Sequence, residues 1–88
     1  MSHNANPELT NRLRRAHGHL ATIVKMVEEG RSALDIAQQM QAVIKALENA
    51  KTGLISHHIE HHLEAATGPL PASARAELAK LVELARYL

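Results

Sequence analysis

The chain has 88 residues, a formal net charge of +1, seven histidines and no cysteine. This length allows one domain. The missing cysteines exclude a disulfide framework and thiolate chemistry, and no apolar run approaches the ~18–20 residues that a membrane span needs. The N-terminus is polar and lacks the apolar region of a secretory signal. A soluble, cytoplasmic protein is therefore expected, with a single helical domain over residues 1–88 and a flexible tail at residues 1–5. Tyr87 is the one aromatic residue. The interior must be built from Leu, Ile, Val, Ala and Met, which favours interdigitating helices.

The first helix opens with Asn6 as N-cap, Pro7 at the first helical position and Glu8 near the positive end of the dipole. Leu9, Leu13, Ala16, Leu20, Ile23 and Val27 follow at alternating spacings of four and three, an a/d heptad seam. Gly30 is placed to end the helix as a C′ residue. Gly18 sits inside it, at about 1 kcal/mol relative to Ala. Between Glu8 and Glu28 there is no acidic residue, whereas Arg12, Arg14 and Arg15 cluster. Such a patch is a possible phosphate contact, though charge alone favours a solvated helix face.

The second helix opens at Ser32, with Asp35 as an imperfect capping-box partner. Ile36, Met40, Val43, Leu47, Ala50 and Leu54 repeat the seam, and the same count continues to His57 and His61. The helix should stop before Gly68-Pro69. It would then be roughly 50 Å long at 1.5 Å per residue, far beyond the ~12 Å radius of gyration of a compact chain of this size. A third, shorter helix follows Pro69-Leu70-Pro71, capped by Ser73, with Ala74, Leu78, Leu81, Val82, Ala85 and Leu88 as its apolar set. The expected fold is all-α. A long antiparallel helical hairpin plus a short third helix makes the protomer, and two hairpins pair into a four-helix bundle to cover the remaining apolar surface.

Residues four apart on a helix lie one above the other. His57/His61 and His58/His62 therefore form two pairs, about 100° apart around the helix axis. An imidazole pair at this spacing can share a Ni²⁺, Co²⁺, Zn²⁺ or Cu²⁺ ion. A third ligand must come from elsewhere, and His3 is a candidate. With Met1 removed, the amine of Ser2, a backbone amide and the His3 imidazole would form a chelate suited to Ni²⁺ or Cu²⁺. His57 and His61 continue the seam and are equally explained as packed interface residues. His58 and His62 lie off it and are freer to ligate. His17 and His19 flank Gly18, where solvated or structural roles are expected. Residues 57–61 also match H-x-x-E-H, the inverted zinc-peptidase signature, in which Glu60 would activate water. In a segment this rich in histidine the match has little specificity.

With its helices placed, the sequence resembles the CsoR/RcnR family of bacterial metal-responsive transcriptional repressors. The resemblance runs from about Asn11 to Leu88. It rests on the order and spacing of "RLRRAHGHL", "EEGRSALDIAQQMQAVIKAL", "LISHHIEHHL" and "ELAKLVELARYL". It implies antiparallel dimers paired into a disc-shaped tetramer that binds operator DNA when metal-free and releases it on binding metal. A basic surface of the first two helices would meet phosphates through Arg12, Arg14 and Arg15. Lys45 and Lys51 would stand in for the basic residue that the family often carries near Ile44. The family's His falls on His58, and its partner four residues on, Cys in copper sensors and His in nickel/cobalt sensors, falls on His62. The N-terminal His of nickel/cobalt members falls on His3, and the usual Cys on Ala33. Without that thiolate the resemblance is nickel/cobalt-type more than copper-type. Cu(I), formaldehyde and persulfide sensing, which need a reactive Cys, are ruled against.

The leading expectation is thus a repressor, not an enzyme, whose partners are double-stranded operator DNA and itself and whose ligand is a divalent transition metal held by His58, His62 and His3, with His57 and His61 as lesser candidates. The alternative is a member with a degenerate site, acting as a metal-independent DNA-binding protein or as a helical metal-binding or assembly protein.

Overall fold

A computed structural model describes residues 6–87. They form three helices: α1 (Pro7–Glu28), α2 (Ala33–Thr67) and α3 (Ala72–Ala85). No strand occurs among the described residues. The chain divides into two compact units, Met1–Ala50 and Lys51–Leu88, and α2 contributes to both.

Local chemistry sets the helix ends. Leu9 N–H donates to Asn6 Oδ1 at 3.1 Å, and Pro7 occupies the first turn, where no N–H is needed. At the other end of α1, Gly30 takes φ +72°. Gly30 N–H donates to Val27 O at 3.1 Å and Arg31 N–H to Met26 O at 3.0 Å, the paired bonds of a Schellman cap. Ser32 caps α2 by accepting from Asp35 N–H at 3.1 Å. Gly68, at φ +90°, closes α2 and donates to Glu64 O at 2.8 Å.

α3 departs from expectation. It starts at Ala72 with Pro71 as N-cap, and no side chain caps it. Ser73 lies inside the first turn. The cause is Pro71: its fixed φ of −66° and extended ψ of 157° turn the chain into the helix, and its carbonyl accepts the first bond from Arg75 N–H at 3.1 Å.

In the first unit α1 and α2 form an antiparallel hairpin. His19 contacts Gln39 at 2.6 Å across the turn at 29–32, ten residues before it and seven after it. The interior is made by Ala16, Ile23 and Met26 of α1 and by Val43 and Ala50 of α2, with Leu9, His19 and Ile36 half-buried. Only part of each expected seam is therefore enclosed. Leu20 remains 50% exposed and Val27 58%, as do Met40 at 48% and Leu47 at 43%. On each helix the exposed set is displaced from the buried set by roughly a quarter-turn in the same sense. Because the helices are antiparallel, both exposed sets open on the same side of the hairpin.

In the second unit α3 lies against the C-terminal part of α2. Val82 is buried, and Thr52, Ser56, Ile59 and Leu78 are half-buried. Leu70 N–H donates to Glu64 Oε2 at 3.2 Å, and Arg75 Nη1 lies 3.8 Å from Glu60 Oε1. An apolar groove of about 340 Å³ runs between the helices, lined among others by Ile55, Ile59, Leu78 and Leu81. Leu88 lies outside the described residues.

Two caps are directly testable by chemical denaturation. Asn6→Ala should destabilise the fold by about 1 kcal/mol. Gly30→Ala should cost about 1–2 kcal/mol, because an L residue is strained at positive φ. Equal stability of both variants to the parent would contradict these assignments.

Candidate functional site

The histidine segment occupies two turns of α2 in the second unit. The helix there has one side against α3, through Thr52, Ser56, Ile59 and Glu60, while His57, His58, His61 and His62 are all exposed. The rings of His58 and His62 stand edge to face with centroids 4.5 Å apart at 74°. His61 and His62 are 6.5 Å apart at the same angle. Two nitrogens bound to one tetrahedral ion lie roughly 3.3 Å from each other when each bond is about 2.0–2.1 Å. The His58–His62 pair is close enough to span that gap by rotation of the rings. The pair could supply two corners of a coordination sphere, its donors being intermediate nitrogen bases suited to late divalent metals.

Among the described residues, no group of three or more His, Cys, Asp or Glu converges in a way that could hold a metal. Nearby carboxylates are engaged elsewhere, Glu64 with the backbone of Leu70 and Glu60 with Arg75. A metal held here would need a third donor from outside this set. His3 lies outside the described residues. Ala33, where the resemblance places a Cys, is exposed at the first position of α2 and offers no donor atom.

Glu60 also bears on the peptidase motif. Its side chain is only 28% exposed and faces the Arg75 guanidinium. A general base must reach a metal-bound water; Glu60 is turned to α3 while the histidines face outward. The sequence reading missed this pair because its partner lies fifteen residues further on, across a turn.

The cations of the first unit are not all placed alike. Arg12 is paired with Glu8 at 3.2 Å and Arg31 with Asp35 at 3.5 Å. Arg14, Arg15 and Lys25 are exposed, and among the described residues no ion pair involves them. By helical position, Arg15 and Lys25 project from the side of the hairpin opposite the exposed apolar sets, and Lys45 of α2 projects to that side as well. Lys51 belongs to the second unit, where it lines the apolar groove. His17 is exposed; His19 is drawn into the hairpin by Gln39, a partner visible only once the helices are paired.

Among the described residues no helix is long and apolar enough to cross a membrane. Comparison with known proteins gives the family. A family model described as "Metal-sensitive transcriptional repressor" matches residues 5–87. The copper-sensing transcriptional repressor CsoR of Mycobacterium ulcerans is 31% identical over 77 residues, covering 88% of this chain and 64% of the relative. The copper-sensing transcriptional repressor RicR of Mycobacterium tuberculosis is 35% identical over 78 residues, covering 81% of each. CsoR of Bacillus subtilis is 39% identical over 54 residues, covering 61% of this chain and 54% of the relative. The chain thus spans somewhat under two thirds of the length of the CsoR relatives. No solved structure matches it. The relatives are repressors and their family is not enzymatic; with the three-helix fold and a family match over almost its whole length, this chain belongs to the metal-sensitive transcriptional repressors.

Proposed function

We propose that the chain is a homo-oligomeric repressor that binds double-stranded operator DNA and releases it when a divalent metal is held by His58 and His62. His3, or a side chain of a second copy, completes the ligand set. The observation that carries this reading is the exposed His58–His62 ring pair at 4.5 Å, on a chain whose family senses metals.

The donor set narrows the metal. The relatives are named as copper sensors, but this chain contains no cysteine. Cu(I) prefers soft thiolates, whereas imidazoles suit Ni²⁺, Co²⁺, Zn²⁺ and Cu²⁺. The metal is therefore one of these four, with Ni²⁺ and Co²⁺ favoured by the resemblance. Imidazole must be unprotonated to ligate, so acid competes with the ion.

The apolar sets left exposed on α1 and α2 support self-association. Two hairpins joined through those sides would make a four-helix bundle, and a pair of such dimers the tetramer. Arg14, Arg15 and Lys45 would face the phosphates, and the resemblance adds Arg12 and Lys51 as further phosphate contacts. Ligands drawn from separate segments or separate copies would favour one packing of the helices, and the cation surface would change with that packing.

A second reading is favoured by the presence of only two converging donors among the described residues: a repressor-type fold with a degenerate site, which binds DNA independently of metal or acts as a helical metal-binding assembly.

These readings separate in solution. Calorimetric titration should show Ni²⁺ or Co²⁺ affinity falling at least tenfold in His58→Ala/His62→Ala, and falling in the wild type from pH 7.5 to 5.5; unchanged affinity in the double variant would rule out the assigned site. DNA binding to the protein's own promoter should weaken on adding the metal, and persistence of the complex would leave the metal-independent reading. Glu60→Gln should leave metal affinity within twofold of wild type, since its carboxylate serves Arg75; a large loss would return Glu60 to the metal site. Sedimentation should give a mass of two or four chains. A monomer would contradict the bundle.

A further inference from the structure

Gly18 lies in the middle of α1, where glycine is unfavourable relative to alanine. Its conformation does not require glycine, because positive φ among the glycines is confined to Gly30 and Gly68. Nor does space require it: a Cβ built there meets nothing within 4 Å. The hairpin itself therefore has no use for a bare backbone at this point.

The helix surface around it is charged. The helix neighbours one turn away are Arg14 and Arg15 on one side and Ala21 and Thr22 on the other, with Lys25 a further turn on. Arg14, Arg15, Thr22 and Lys25 are all exposed. The Thr22 hydroxyl donates to Gly18 O at 3.3 Å, folding that side chain back along the helix. The result is a shallow saddle with cations at both ends, spanning roughly 16 Å from Arg14 to Lys25 at 1.5 Å per residue. Gly53 of α2 also meets nothing within 4 Å, but its neighbours one turn away are Asn49, Ala50, Ser56 and His57, with no fixed positive charge.

We infer that Gly18 is the point of closest approach between this protein and the sugar-phosphate backbone of duplex DNA, which seats in the saddle between Arg14/Arg15 and Lys25. The inference rests on the repressor reading and adds to it a positioning residue that carries no charge and makes no hydrogen bond from a side chain. An added methyl would hold the phosphates away from both sets of cations at once. The contact is to the backbone, so it positions the protein without reading sequence.

The test sets stability against binding. Gly18→Ala, Arg15→Ala and the wild type are melted, sized by sedimentation, and titrated against the protein's own promoter duplex and an unrelated duplex of the same length, over a range of salt. Gly18→Ala should melt about 4–8 °C higher, as expected for a helix-interior Gly→Ala change in a domain of this size. It should keep its mass yet bind both duplexes about tenfold more weakly, as overpacking a close contact does. The salt dependence of its binding should match wild type, because no charge is lost, whereas Arg15→Ala should lower the slope by about one. Undiminished binding by Gly18→Ala overturns this inference while leaving the repressor reading intact. A lower melting temperature or an altered mass also overturns it, since the glycine would then serve the protein's own packing. Failure of the wild type to bind either duplex removes the repressor reading and this inference with it.

Discussion

The hairpin of the first unit is governed by a mismatch between apolar width and available cover. A heptad seam presents two apolar rows to its surroundings, and a single partner helix can enclose little more than one. Ala16, Ile23 and Met26 meet Val43 and Ala50, and the rows through Leu20, Val27, Met40 and Leu47 are left open. Burial of an aliphatic side chain stabilises by about 1.5–3 kcal/mol, so those rows represent unused association energy. The same division assigns the rest of the surface. With one side of the hairpin apolar, the fixed positive charges Arg15, Lys25 and Lys45 collect on the other, apart from the exposed apolar rows.

In the second unit, α3 decides which side chains of α2 are available for chemistry. It engages the carboxylates: Glu60 through Arg75 and Glu64 through the backbone of Leu70. The imidazoles are left facing outward. A segment that contains both oxygen and nitrogen donors in sequence is thereby reduced to a nitrogen site in space. The contacts to Arg75 and Leu70, and not the histidine spacing, remove the peptidase chemistry that H-x-x-E-H would suggest.

Much of this was legible in the residues themselves. Asn6-Pro7, Gly30, Ser32 and Gly68 each act on neighbours within a few positions, so their roles follow from local geometry. Ser73 misled because Pro71 imposes the turn two residues earlier, and a backbone constraint outranks a side-chain cap. The division of the seam was not legible, because a heptad count scores every apolar residue alike and carries no information on how many partners are present. The His58–His62 pair was legible as a spacing, but the diversion of Glu60 was not, since it depends on how α3 returns along α2. His3 and Leu88 lie outside the described residues, and the third ligand is still a proposal.

The contact between His19 and Gln39 has one further consequence. A heptad seam repeats, and a hairpin built on it can in principle slide by seven residues and still match apolar rows to apolar rows. Such a slide would set His19 against Ala46, leaving a half-buried imidazole and a half-paired amide without each other. The contact is exposed, so water would take the place of the lost partner and the preference for the paired register is modest. The 2.6 Å contact therefore acts as an index mark on an otherwise periodic interface. It favours one register over its neighbours, and with it one placement of the α1 cations along α2.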